Sequence, residues 1–209
     1  MKLFRLRACL LPVATLALLV SAGHGQAFND PDWPCVQRKV LGLSIGQMWT
    51  AQLPPENANW RADAEIADLA PYLAARRTDL NDAEVRIKDL DWSTDRNERL
   101  TLLFAGIFEI IERDRRRIIN GITKYAQKQR ALSEQIDATQ ASIAIDRTAI
   151  AEDDYDALDA LEEREDKMIW DTRIYQERNK SLIYVCESPV ILEKRVFALA
   201  RMIQDQITP

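Results

Sequence analysis

The chain has 209 residues, with 28 Lys or Arg against 33 Asp or Glu and a net charge of −5. That balance has the wrong sign for nonspecific nucleic-acid binding, which rests on neutralising phosphates. A single histidine, His24, and three cysteines leave little material for imidazole or thiol chemistry.

The first segment predicts export. Lys2, Arg5 and Arg7 form a basic patch ahead of an apolar run from Ala8 to Val20, and small residues follow. This is the order of a secretory signal. The run has 13 residues, fewer than the ~20 that a spanning helix needs. Two processing sites fit, one after Ala22 and one after Ala27, and Cys9 precedes the apolar run, which argues against a lipoprotein. Residues 1–27 are read as a signal peptide. The expected compartment is the periplasm, with secretion as the alternative and no transmembrane anchor after processing. Without that segment, 25 Lys or Arg face 33 Asp or Glu, so the charge becomes −8. Two cysteines remain, Cys35 and Cys186. An even pair in an oxidising compartment predicts a disulfide.

Residues 28–60 read as an irregular segment. They hold Pro31, Pro34, Pro54, Pro55, Gly42 and Gly46, with a short extended piece around Val40–Trp49. From Tyr72 to Ser188 there is no proline, and Gly106 and Gly121 are the only glycines. So few breakers let helix propagate. Two short helices come first. Ile66, Leu69 and Leu73 recur at helical spacing in one, which Pro71 must kink or restart. The other starts at Leu80 by its apolar spacing or at Asn81 by its capping-box spacing with Glu84.

A long helix begins near Ser93–Asp95. Its heptad a positions include Phe108, Arg115, Ile122, Gln129 and Ile143, and its d positions include Phe104, Ile111, Ile118 and Leu132. The register passes Asn120-Gly121 without a slip, so the spacing predicts one helix of about 55 residues, about 80 Å long at 1.5 Å per residue. Such a helix needs a partner along its stripe. After a turn at residues 151–154, Leu161, Met168, Tyr175 and Leu182 recur every seven residues and supply it. Ser188-Pro189 reads as an N-cap with proline at the first helical position. It opens a terminal helix striped by Leu192, Val196, Leu199 and Ile203.

The expected fold is therefore all-α: a helical bundle with a long antiparallel coiled-coil hairpin and a short, disulfide-tethered N-terminal segment. Residues 61–124 make the first part of the body, 125–180 the projecting hairpin and 181–209 the terminal helix returning to the body. Gly121 is expected opposite Cys186, where it would let the two helices approach closely.

The functional readings are mostly exclusions. With His24 in the signal peptide and the cysteines paired, there is no general base, triad, zinc site or thiolate nucleophile. No phosphate loop or dinucleotide fingerprint appears. The expectation is a non-enzymatic protein without catalytic residues or cofactor. Acidic residues crowd the hairpin tip, and Asp153, Asp154, Asp156 and Asp159 are the candidates for a weak cation site. The plainer account is a solvated tip whose carboxylates favour a helix N-terminus.

Arg113, Arg116 and Arg117 are the candidates for docking an acidic partner, against the plainer account of salt bridges to neighbouring acids. Trp33, beside Pro34-Cys35, either packs around the disulfide or joins Trp49 and Trp60 in a ligand platform. Asn179-Lys180-Ser181 fits a glycosylation sequon only by pattern. The function expected is an exported scaffold or adaptor that presents the hairpin to a protein partner in the cell envelope, with a homodimer also among the candidates. The alternative is a periplasmic protein that binds a small ligand or cation.

Overall fold

The structure is a computed structural model and describes residues 30–55, 58–90, 92 and 95–207. The signal peptide expected at 1–27 lies outside the described residues. Among the described residues the regular structure is all helical. Four α-helices follow two single 3₁₀ turns at Ile45–Gln47 and Trp60–Ala62: α1 (Ala64–Ala74), α2 (Leu80–Asp89), α3 (Arg96–Ala149) and α4 (Tyr155–Gln204). The extended piece expected around Val40–Trp49 is instead irregular chain closing on the first 3₁₀ turn.

Helix α1 starts where Asp63 caps it, the carboxylate accepting from the backbone N–H groups of Glu65 and Ile66 at 3.1 and 3.2 Å. It does not restart at Pro71 but continues to Ala74. The proline ring is exposed, while Ile66, Ala70 and Leu73 are fully buried on the other face. Helix α2 begins at Leu80, and its cap is Asp79, which accepts from Asn81 N–H at 2.7 Å. Asn81 is thus inside the helix.

Helices α3 and α4 have 54 and 50 residues and run antiparallel. Of the three residues that could start α3, Ser93 and Thr94 lie outside the described residues. Asp95 is the capping residue, but it sits in the left-handed region at φ 46° and its side chain makes no capping bond. Aspartate is among the few non-glycine residues that tolerate that conformation. Helix α3 passes through Asn120-Gly121 unbroken. The chain then turns at residues 150–154, and Asp154 caps α4 by accepting from Ala157 N–H at 3.1 Å.

No separate terminal helix opens at Ser188-Pro189. Helix α4 runs through Pro189 to Gln204 as one element. A proline inside a helix forfeits a hydrogen bond and costs about 3 kcal/mol. Here Pro189 is buried, and its neighbours Cys186, Leu192 and Val196 are all packed inside. Tertiary packing therefore overrides the local start signal. The seam of α4 continues every seven residues from Leu161 through Pro189 to Ile203, all on the buried or half-buried side. This constant interval marks a left-handed supercoil with α3.

Two clusters hold the molecule together. The larger fills the body, where α1, α2, the first turns of α3 and the last turns of α4 meet. Phe104 is its centre, fully buried and stacked on Trp49 at 4.3 Å between ring centroids. Gly106 lets the Trp60 ring lie on α3, because a Cβ there would come within 2.8 Å of Trp60 Cδ2. Arg195 is buried as well, donating to the carbonyls of Leu73 and Thr78 at 2.8 Å each. It thereby ties the end of α1 and the following loop to α4.

The smaller cluster joins Ile122, Leu182 and Cys186 to Trp33 and Cys35. The disulfide Cys35–Cys186 is formed, with the two Cα atoms 5.5 Å apart. At this level the residue facing α4 is Ile122. Gly121 is exposed, and a Cβ on it would meet nothing within 4 Å, so it does not serve the close approach expected of it. The heptad explains this, since Ile122 occupies the seam position and Gly121 the one before it.

Electrostatics in the body depend on acidity. Arg99 beside Asp63, donating at 2.8 Å, holds that carboxyl below the usual carboxylate range. Arg61, and after it the Trp60 indole N–H, do the same for Glu109. A depressed carboxylate pKa contributes stability that is present above the unfolded value, about 4, and is lost as pH falls through the folded one. The midpoint of thermal unfolding is therefore expected to be flat near neutrality and to fall once pH drops below about 4. Asp63→Asn keeps a competent cap. It should be less stable than the native chain at pH 7, and the gap should narrow in melts at pH 3.

Candidate interaction surfaces

Three regions carry the residues singled out from the sequence, and the hairpin sets where they lie. Beyond the disulfide, the N-terminal segment reaches α3 once more, through Asp32. That carboxylate forms an ion pair with Arg130 at 2.8 Å and accepts from the Gln127 amide at 2.7 Å. Past Arg130 the helices are described only against each other. Ile143 and Leu161 are buried in their seam. Gln129 is buried at a seam position, its amide donating to Tyr175 O and Asn179 Oδ1 at 3.1 Å each. A buried polar residue held by its amide N–H groups in this way favours one register between the helices. Near the tip, Arg164 pairs with Asp146 at 2.6 Å, and Arg147 pairs with Glu165.

The tip is acidic and open. Asp153, Asp154, Asp156 and Asp159 are all exposed. Asp154 serves as the helix cap, and Asp156 lies in the first turn of α4, where the helix dipole favours negative charge. Among the described residues no group of three or more His, Cys, Asp or Glu side chains is placed to hold a metal ion.

The arginines divide. Arg115 is buried between Glu112 and Glu193, at 3.8 Å from each. Arg113 pairs with Asp114 at 3.1 Å, and Arg116 lies 3.7 Å from Glu112. Arg117 has no ion-pair partner among the described residues. Arg113, Arg116 and Arg117 are exposed and line a shallow depression on the outer face of α3 with Asn120 and Lys124. The salt bridges thus account for part of the patch, and a basic surface remains.

The tryptophans are structural in placement. Trp33 packs with the disulfide, and its indole donates to Gln37 O at 2.6 Å. Trp49 and Trp60 belong to the body core. A groove of about 410 Å³ that the sequence did not suggest lies between Leu53, Pro54, Pro55, Leu102 and Ile207. No periodic signal marks it, since its walls come from three separate stretches of chain.

No helix among the described residues is long and apolar enough to cross a membrane. Comparison of the chain with protein-family models, curated proteins and solved structures finds no match.

Proposed function

We propose that this chain is a non-enzymatic periplasmic scaffold or adaptor that presents its helical hairpin to a protein partner in the cell envelope. The observation that carries this reading is the stretch of α3 and α4 beyond Arg130, whose described contacts lie within its own seam. A seam of this kind leaves the outer faces free for a partner, and they lead to a strongly acidic tip. The export signal in the sequence and the Cys35–Cys186 disulfide support the compartment, because such bonds persist in oxidising surroundings.

Shortening the hairpin tests the reading. Removing residues 136–149 and 156–169 takes two heptads from each helix, so the seam closes in register and the tip is drawn in by about 21 Å. The body retains its disulfide, its Phe104 core and the Asp32–Arg130 pair. It should melt cooperatively within a few degrees of the native chain. Capture of a specific partner from envelope extract, seen with the full-length hairpin, should be lost. A shortened protein that still captures the same partner would move the binding site to the body.

A further inference from the structure

The side of α4 turned away from α3 has an ordered pattern that its own fold does not use. Counted in sevens from the seam, this back face holds two interleaved series, one containing Trp170, Tyr184 and Ile191 and the other Lys180 and Lys194. The three apolar side chains are 60%, 77% and 41% exposed. Towards the tip the same face carries Asp156 and Glu163, and towards the body it carries Lys194 and Arg201. All four are exposed, and none has an ion-pair partner among the described residues. The face is therefore acidic at one end, basic at the other, and in the middle alternates apolar with oppositely charged side chains.

We propose that the back of α4 is a self-complementary docking surface for a second copy of this chain, laid antiparallel along it. Reversal brings each acidic end onto a basic end. With the two-fold axis between Glu177 and Lys180, Asp156 faces Arg201 of the second copy and Glu163 faces Lys194 of the second copy. At the axis, Glu177 and Lys180 already pair within one chain at 2.9 Å. Each also faces the opposite charge across the interface, which closes a cluster of four. The same register sets Arg173 against Tyr184 of the second copy, a cation–π arrangement. Trp170 falls opposite Glu187 of the second copy and is flanked there by Tyr184 and Ile191. A parallel pairing would stack acid on acid and base on base.

The size is sufficient. The face from Asp156 to Arg201 is about 68 Å long and a helix is about 10–12 Å wide. That gives roughly 700–800 Å² per copy, the size of a standard stable interface. The inference goes beyond the adaptor reading and does not depend on it, because it is tested on purified protein with no other partner present.

The test uses sedimentation equilibrium of the disulfide-bonded chain and two double variants. The native protein is expected to be dimeric at about 20 μM in low salt and to dissociate as salt screens the end charges. Lys194→Glu with Arg201→Glu stacks acid on acid in a self-pair, and Asp156→Arg with Glu163→Lys stacks base on base. Each should be monomeric, with a dissociation constant raised by roughly 100-fold or more. Mixed together, the two variants restore every opposite-charge pair and should form a heterodimer. Circular dichroism checks that each remains folded, as expected for exposed positions. A native protein monomeric at every concentration would overturn the proposal. So would double variants that stay dimeric alone, or folded variants that fail to combine on mixing.

Discussion

Replacing Cys35 and Cys186 together by alanine is expected to remove about 3–5 kcal/mol of stability, the largest effect of any change in this chain that spares the helical core. The bond joins residues separated by 151 positions, so it restricts nearly the whole unfolded chain. In the chain-entropy picture a closed loop of that length is worth about 5 kcal/mol, and measured values often fall below the ideal. Alanine avoids placing a hydroxyl in the cluster around Ile122 and Leu182, where serine would be left wanting a partner. Urea unfolding of the variant and of the native chain, each with and without reductant, gives the comparison. Reductant should move the native curve to that of the variant and leave the variant where it is. A difference below about 1 kcal/mol would mean that residues 30–42 detach without loosening the helices.

Phe104→Ala should come close to that magnitude by a different route. Removing a fully buried phenylalanine costs about 3–5 kcal/mol through lost transfer energy and the cavity left behind. Trp49, stacked on the ring, would lose its main aromatic neighbour. Ile143→Ala, in the seam near the tip, is the informative contrast. Its chemistry is similar, but its seam neighbours Ile136 and Ile150 are only half-buried, so its cost should sit near the low end, about 2 kcal/mol. Amide exchange should separate the two variants. Phe104→Ala lowers protection throughout the chain, whereas Ile143→Ala lowers it near the tip and leaves α1 and the body end of α4 as they were.

The hairpin was legible in the sequence because its information is periodic. Phe104, Ile111, Ile122 and Ile143 mark one seam and Leu161 and Leu182 the other, and a seven-residue interval survives a long read. With Cys9 assigned to the expected signal peptide, the other two cysteines specified their own partner by elimination. Local signals fared worse where tertiary packing outweighed them. Ser188-Pro189 has the chemistry of a helix start, yet Pro189 is buried with the Cys186 and Leu192 neighbourhood, which keeps α4 whole. Gly121 invited a close-approach reading that belongs to Gly106, whose neighbour Trp60 is 46 residues away in the chain. Nothing in a linear reading connects those two. The arginine cluster was visible as composition, but burial alone distinguishes Arg115 from Arg116 and Arg117.

The uninterrupted course of α4 makes the molecule a lever. One rigid rod reaches from the tip through the level of the Cys35–Cys186 bond into the core, where Val196, Leu199 and Ile203 are fully buried. Taking that bond as the fulcrum, the outer limb is about 46 Å and the inner about 27 Å at the helical rise. A sideways pull on the tip is therefore delivered to the core with its displacement reduced and its force enlarged, each by about 1.7-fold. A break at Pro189 would have placed a joint just inside the fulcrum and isolated the two limbs. With the rod whole, whatever grips the far end also strains the packing around Phe104.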